Sequence, residues 1–188
     1  MPLLRSEPPN LDPIHLSEVV EFSRSLMELS DNSEFEFALS TDKDLLRPIV
    51  EYLMRYGIAT DEDIEDAIFS SDHNVFLDAI MELKERYGVS RPFVLARRMG
   101  RPLPFELNSD TVESGSYPSG HAASSRFVAH LLSDVFLRGH PDADRHRGEI
   151  FMLANRIAWG RVLLGVHSIQ DIREGKRLAD VYFIGRDL

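Results

Sequence analysis

Apolar residues recur at intervals of three or four along most of the chain, and this spacing predicts amphipathic helices. Strand signals are weak throughout, because few stretches alternate apolar and polar residues. The predicted helices occupy residues 14–29, 41–56, 61–70, 74–87, 121–137, 149–164 and 168–183. The sequence therefore predicts an all-α fold, a compact multi-helix bundle in which residues 1–188 form a single domain.

Turn and capping residues mark the ends of several of these helices. Pro13 suits the first turn of the first helix, because its fixed φ is compatible with helix initiation. Thr41 is the predicted N-cap of the second helix, although Pro48 should kink that helix or mark its true start. Gly88 ends the fourth helix and so places Lys84 in its last turn.

The longest predicted loop covers residues 100–120. It contains three glycines and three prolines, a density of helix breakers that excludes regular structure. Long loops in compact domains are commonly functional, so we expect this one to line the entrance to a site. The side chains expected there are Arg101, Phe105, Glu106, Asn108, Asp110 and Glu113.

Composition and charge narrow the classes of function. The net charge is -10, but residues 1–90 hold 20 acidic and 7 basic groups, whereas residues 91–188 hold 11 and 14. The total disfavours a nucleic-acid backbone as partner, while the C-terminal half would accept an anion. The absence of cysteine excludes a thiol nucleophile, a disulfide and a zinc–thiolate site.

The hydropathy of the chain bears on its location. No run reaches the roughly 18 apolar residues that a membrane span needs. The N-terminal residues lack the apolar core of a signal peptide. We therefore expect no membrane span and a cytoplasmic location, or a periplasmic or secreted one if the chain is a mature form.

The first of three stretches suited to phosphate chemistry is Lys84-x6-Arg91-Pro92. Arg91 offers a planar fork to two oxygens and Lys84 a point charge. Pro92 forces an extended backbone at Arg91, so the chain can turn back and bring both heads to one anion. Taken alone, the stretch is also typical of solvated cations at a helix end.

The second stretch, Pro118-Ser119-Gly120-His121, lies where the long loop meets a helix N-terminus. Backbone N–H groups at that position favour an anion, Ser119 adds a hydroxyl and Gly120 permits close approach. His121, in the first turn, is placed to donate a proton. The simpler alternative is a serine cap followed by an ordinary surface histidine.

The third stretch is Arg161-x5-His167-x3-Asp171. If the last helix begins at or just before His167, His167 and Asp171 share a face. Asp171 can then accept from one ring nitrogen and leave the other free as a nucleophile, while Arg161 arrives from the preceding helix. An ordinary surface histidine–aspartate pair has the same spacing.

A metal site is the other chemistry that histidine and aspartate can serve. The chain has no His-Glu-x2-His motif, no calcium-type acidic loop and no histidines paired at four residues. The sequence therefore predicts neither a metal nor a cofactor requirement.

Together and in this order, the three stretches resemble those of the phosphatidic acid phosphatase type 2 (PAP2) superfamily, which also contains bacterial class A acid phosphatases and vanadium haloperoxidases. Residues 84–93 and 115–121 look closest to the soluble class A acid phosphatases. The resemblance covers residues 76–183, which we take as the catalytic core, and leaves an acidic helical N-terminal portion at about 12–70.

This resemblance implies a helical bundle of the acid phosphatase and vanadium haloperoxidase type and a phosphohistidine intermediate. His167 would be the nucleophile, Asp171 its orienting partner and His121 the general acid. Vanadate would inhibit by mimicking phosphate. Two positions depart from class A enzymes, Ala122 in place of threonine and Gly160 in place of a small hydroxyl residue. The expected phosphate ligands are Lys84, Arg91, Ser119, Gly120 and Arg161.

The function expected from these residues is that of a metal-independent, acid phosphatase-like phosphomonoesterase. Its substrates would be small phosphorylated molecules such as nucleotides or sugar phosphates, since relatives that act on lipids carry several membrane spans. One alternative is a vanadate-dependent haloperoxidase. Another is a catalytically silent module that binds phosphate or a phosphoprotein. A homo-oligomer is compatible with all three.

Overall fold

The computed structural model describes residues 9–10, 13–103 and 113–185, and these residues form nine helices and no strand. The predicted all-α fold is therefore confirmed. Pro13 begins the first helix, as its position predicted. The helices are α1 (Pro13–Leu29), α2 (Asn32–Lys43), α3 (Arg47–Arg55), α4 (Asp61–Phe69), α5 (His73–Tyr87), α6 (Pro92–Arg98), α7 (Gly120–Phe136), α8 (Ala143–Leu163) and α9 (Ile169–Ile184).

The helix predicted at residues 41–56 is wrong at its start. Thr41 does not cap it but lies buried inside α2, where its hydroxyl donates to the Ala38 carbonyl at 3.1 Å. Pro48 lies in the first turn of α3 and marks the true start. Helix α2 begins instead behind Asp31, whose side chain accepts from the Glu34 backbone N–H.

Two further helices differ from the sequence prediction. Helix α6 was not predicted, because its seven residues are too few to show a periodicity. Helix α8 begins at Ala143 rather than near residue 149, since its first turns are mostly charged. His146 in those turns is nonetheless buried, and its Nδ1 lies 2.8 Å from the Tyr52 hydroxyl of α3.

Helix α7 lies at the centre of the bundle and packs against α4, α5, α8 and α9. Its fully buried Phe127 contacts the rings of Phe76 and Tyr182, with centroids 5.0 and 5.2 Å away. The start of α7 lies very close to α9 at Gly175, where a Cβ would collide with the Ser119 carbonyl oxygen. This close approach sets the first turn of α7 beside the second turn of α9.

Candidate active site

The three stretches converge on one buried cluster. Burial is unusual for charged groups without partners or function. The cluster combines the end of α5, the residue before α6, the start of α7, the end of α8, the α8–α9 turn and the first turn of α9. Its buried members, none more than 4% exposed, are Lys84, Arg91, Ser119, Arg161, His167 and Asp171.

The two nitrogens of the His167 ring face different surroundings. Nδ1 lies 3.5 Å from Asp171 Oδ2 and 3.5 Å from the Ser116 hydroxyl. Nε2 lies on the opposite side of the ring, 3.3 Å from Arg91 Nη1. One nitrogen therefore faces a carboxylate and the other faces a cation.

The link between His167 and Asp171 differs in detail from the one predicted. Helix α9 begins at Ile169, so His167 precedes the helix and the two residues share no helical face. Asp171 is placed instead by a capping box, in which the Ser168 N–H donates to its carboxylate at 2.6 Å. Ser116, a residue the sequence did not single out, donates to the same oxygen at 2.6 Å and bridges the pair.

Lys84 and Arg91 are held by backbone carbonyls around the cluster. Lys84 Nζ donates to the Gly115 carbonyl at 2.6 Å. Arg91 donates to the carbonyls of Ser114 at 3.1 Å and Val166 at 3.0 Å. These bonds hold both heads in one buried cluster and fix them to the end of the long loop and to the α8–α9 turn.

The second stretch begins α7. Ser119 is the N-cap, as predicted, and its oxygen accepts from the Ala122 N–H at 3.3 Å, so its own proton remains available to donate. Gly120 is adjacent to Lys84, because a Cβ built there would lie 3.7 Å from Lys84 Cε. The helix N-terminus and the lysine therefore flank the same space.

Arg161 and His121 share a carboxylate that the sequence analysis missed. Arg161 Nη1 donates to Asp42 Oδ1 at 2.6 Å, and His121 Nε2 lies 4.0 Å from the same oxygen. Asp42 belongs to α2, outside residues 76–183. The chain has 31 acidic residues, and nothing in the sequence distinguishes Asp42 from the others.

Burial shifts the pKa of every titratable group in the cluster toward its uncharged form. It lowers the pKa of Lys84 to about 7, with Arg91 adding to the shift and Asp171 opposing it. It lowers the pKa of His121 to about 3, with further contributions from Arg161. The pKa of His167 falls well below its usual value for the same reason, so its ring is neutral.

The remaining groups follow the same pattern. Burial lowers the pKa of Arg91 to about 10, and the neighbouring Arg161 lowers it further. Burial raises the pKa of Asp171, against the hydrogen bond from Ser116. The close approach of three cations, Lys84, Arg91 and Arg161, costs free energy, because like charges repel. An anion bound between them would relieve this repulsion.

Within the described residues, no three histidine or acidic side chains are grouped closely enough to hold a metal ion. Among the expected entrance residues, Phe105, Glu106, Asn108 and Asp110 lie outside the described residues. The exposed Arg101 and Glu113 flank that segment.

Comparison with known proteins identifies the fold. A solved structure described as the first transmembrane PAP2 type phosphatidylglycerolphosphate phosphatase from Bacillus subtilis superimposes with a TM-score of 0.61. The alignment covers 94% of this chain and 88% of that one, at 18% sequence identity. The chain has the PAP2-type fold. No family model matches the sequence, and no curated protein does.

The comparison with a transmembrane protein raises the question of spans. Among the helices of the described residues, none combines the length and apolar character that crossing a bilayer requires.

Proposed function

We propose that the chain is a metal-independent phosphomonoesterase that works through a phosphohistidine at His167. The observation that carries this proposal is the environment of the His167 ring. Its Nδ1 faces Asp171 and Ser116, while its Nε2 faces Arg91. A proton on Nδ1 leaves the lone pair of Nε2 directed at the space where cations would hold a phosphoryl group.

In the first step, His167 Nε2 attacks phosphorus and the bond from phosphorus to the leaving oxygen breaks. A bound phosphate dianion favours the protonated form of His121. The leaving oxygen takes that proton, and His121 ends the step neutral. The positive charge that develops on the His167 ring is stabilised by Asp171 through the Nδ1 proton. The equatorial oxygens are bound by the α7 N-terminus and by three cations, Lys84, Arg91 and Arg161.

In the second step, water attacks the phosphohistidine. His121, now neutral, takes a proton from that water, and the bond between phosphorus and Nε2 breaks. Inorganic phosphate leaves and His167 returns to its neutral state. Each residue thus ends the cycle as it began.

Small phosphorylated molecules, such as nucleotides and sugar phosphates, are the substrate class we propose. A phospholipid phosphate is the second candidate, because the solved PAP2-type structure is a phosphatidylglycerolphosphate phosphatase. Phosphate release should be measured over a panel that holds both classes, with the lipids in detergent micelles. Turnover of the soluble compounds only, or of the lipids only, decides between the two candidates.

The same assay tests the absence of a metal requirement. Activity should survive EDTA, since protein cations neutralise the transferring group, and vanadate should inhibit as a mimic of its trigonal bipyramid. Loss of turnover on chelation with recovery on adding a divalent ion would contradict this mechanism. Halide oxidation by the vanadate-loaded protein would favour the haloperoxidase alternative.

A further inference from the structure

Helix α2 reaches the active site because it packs unusually close to α8. A Cβ built on Gly160 would lie 3.1 Å from Ala38 Cβ and 3.2 Å from Ala38 Cα. Asp42 follows Ala38 by one helical turn and Arg161 follows Gly160 directly, so this contact sets the carboxylate beside the guanidinium. The glycine that departs from class A enzymes is the residue that permits this approach.

The pair formed at this contact is almost fully enclosed. The Arg161 side chain is 0% exposed and that of Asp42 is 7% exposed. The His121 side chain, at 16% exposed, adjoins the same carboxylate oxygen. A single carboxylate therefore serves one proposed phosphate ligand and the proposed general acid.

We propose that Asp42 is a positioning residue of the active site, which holds Arg161 toward the phosphate and favours the protonated form of His121 when the leaving group departs. The kinetic consequence of this proposal rests on the proposed function, whereas its test by titration of His121 does not. It also makes α2 part of the catalytic apparatus.

The charges around His121 explain why a carboxylate is needed there. The charged and titratable groups that act on its ring are Arg161 from α8, Asp42 from α2, Lys84 from α5, Arg91 before α6 and His167 from the α8–α9 turn. Burial disfavours the imidazolium most, and the three cations among these groups add to its effect. Asp42 opposes them in the free protein, and a bound phosphate dianion would add to its effect.

The proposal is tested by titrating the His121 ring by NMR in protein labelled at histidine Cε1, with His121→Gln assigning the signal. Saturating inorganic sulfate supplies a tetrahedral dianion whose charge is constant across the titration. Asp42→Asn removes the charge and keeps an acceptor for Arg161. It should lower the proton affinity of His121 about tenfold, one pKa unit, relative to wild type.

The matched control is Glu34→Gln, which breaks another ion pair between α2 and α8, with Arg156 at 2.9 Å, away from the cluster. It should leave the His121 titration unchanged. If Asp42→Asn does not fold, Asp42→Ser, which removes the same charge, is titrated in its place. Coincident titrations of wild type and the Asp42 variant in sulfate would overturn the proposal. So would a wild-type His121 that stays neutral down to about pH 4 in sulfate.

Kinetics add a readout that a purely structural role would not move. Without the carboxylate, His121 loses its proton at lower pH, so the alkaline limb of kcat should move to lower pH by about one unit. The loss in kcat should be larger for an alkyl phosphate than for p-nitrophenyl phosphate, whose phenolate leaves unaided. Equal losses with an unmoved limb would overturn the proposal. A wild-type protein that hydrolyses no phosphoester contradicts the proposed function, yet the NMR titration remains readable.

Discussion

Two arginine–carboxylate pairs join α2 to α8, and they lie in opposite environments. Arg156 and Glu34 meet at 2.9 Å with side chains 42% and 46% exposed. Arg161 and Asp42 meet at 2.6 Å with side chains 0% and 7% exposed. Each pair joins an arginine of α8 to a carboxylate of α2, so the main difference between the pairs is in their exposure to solvent and in their neighbours.

That difference in burial indicates different roles for the two pairs. An exposed pair contributes about 0–1 kcal/mol, because water screens it and its side chains lose entropy on pairing. A buried pair costs desolvation that its own attraction barely offsets, and it is weak evidence for stability. We therefore interpret the buried pair as serving chemistry and the exposed pair as a surface contact between α2 and α8.

The largest effect is expected from a substitution in the buried pair. Arg161→Lys keeps the charge but loses the planar fork, and we expect kcat/KM to fall by roughly 100- to 1000-fold. Arg156→Lys, the same change in the exposed pair, should leave kcat/KM within about twofold. Steady-state kinetics on the two variants side by side measure the contrast. Similar losses in both would show that burial does not mark the functional arginine.

Arg91→Lys asks whether a second buried arginine acts through its geometry as well. The guanidinium spans the Ser114 and Val166 carbonyls and reaches His167 Nε2, which an ammonium cannot do. We expect kcat/KM to fall roughly 10- to 100-fold while the fold, checked by circular dichroism, is unchanged. A near-wild-type kcat/KM would place Arg91 outside the site.

How far these effects could be predicted from the sequence differs along the chain. The spacing of the cationic residues and of His121 and His167 indicates phosphate chemistry, and the structure brings these residues together. Asp42 and Ser116 carry no such signal, because their roles arise from helix packing and from a loop that folds back. Helix α2 itself escaped prediction, since glutamate and phenylalanine alternate at residues 34–37 and obscure the helical period.

A smaller effect concerns the proton on Lys84. Its pKa is lowered to about 7 mainly by burial, so the free protein loses this charge as pH rises through 7. A bound anion raises that pKa, and binding therefore takes up a proton above pH 7. Sulfate affinity should fall up to about tenfold per pH unit above 7, and Lys84→Met should remove this dependence. Calorimetric titration at several pH values measures both. A flat wild-type profile would contradict the assignment of Lys84 to the anion site.

The smallest effect is expected from a substitution in the exposed pair. Glu34→Gln should change the free energy of unfolding by less than about 1 kcal/mol and leave kcat/KM unaltered. Denaturant unfolding and steady-state kinetics measure the two quantities. A large loss of activity without unfolding would mean that the exposed pair also positions the site.

Trapping the intermediate tests whether His167 carries the phosphoryl group. With p-nitrophenyl phosphate, whose phenolate leaves without an acid, His121→Ala should still phosphorylate His167 but hydrolyse it slowly. An acid-labile, base-stable phosphoenzyme should therefore accumulate, visible by quenched-flow labelling or intact mass, and it should be absent from His167→Ala. The His130→Ala variant is the control, because His130 forms a 2.8 Å pair with Asp180 outside the cluster. Label on His167→Ala, or none on His121→Ala while substrate is consumed, would contradict the account.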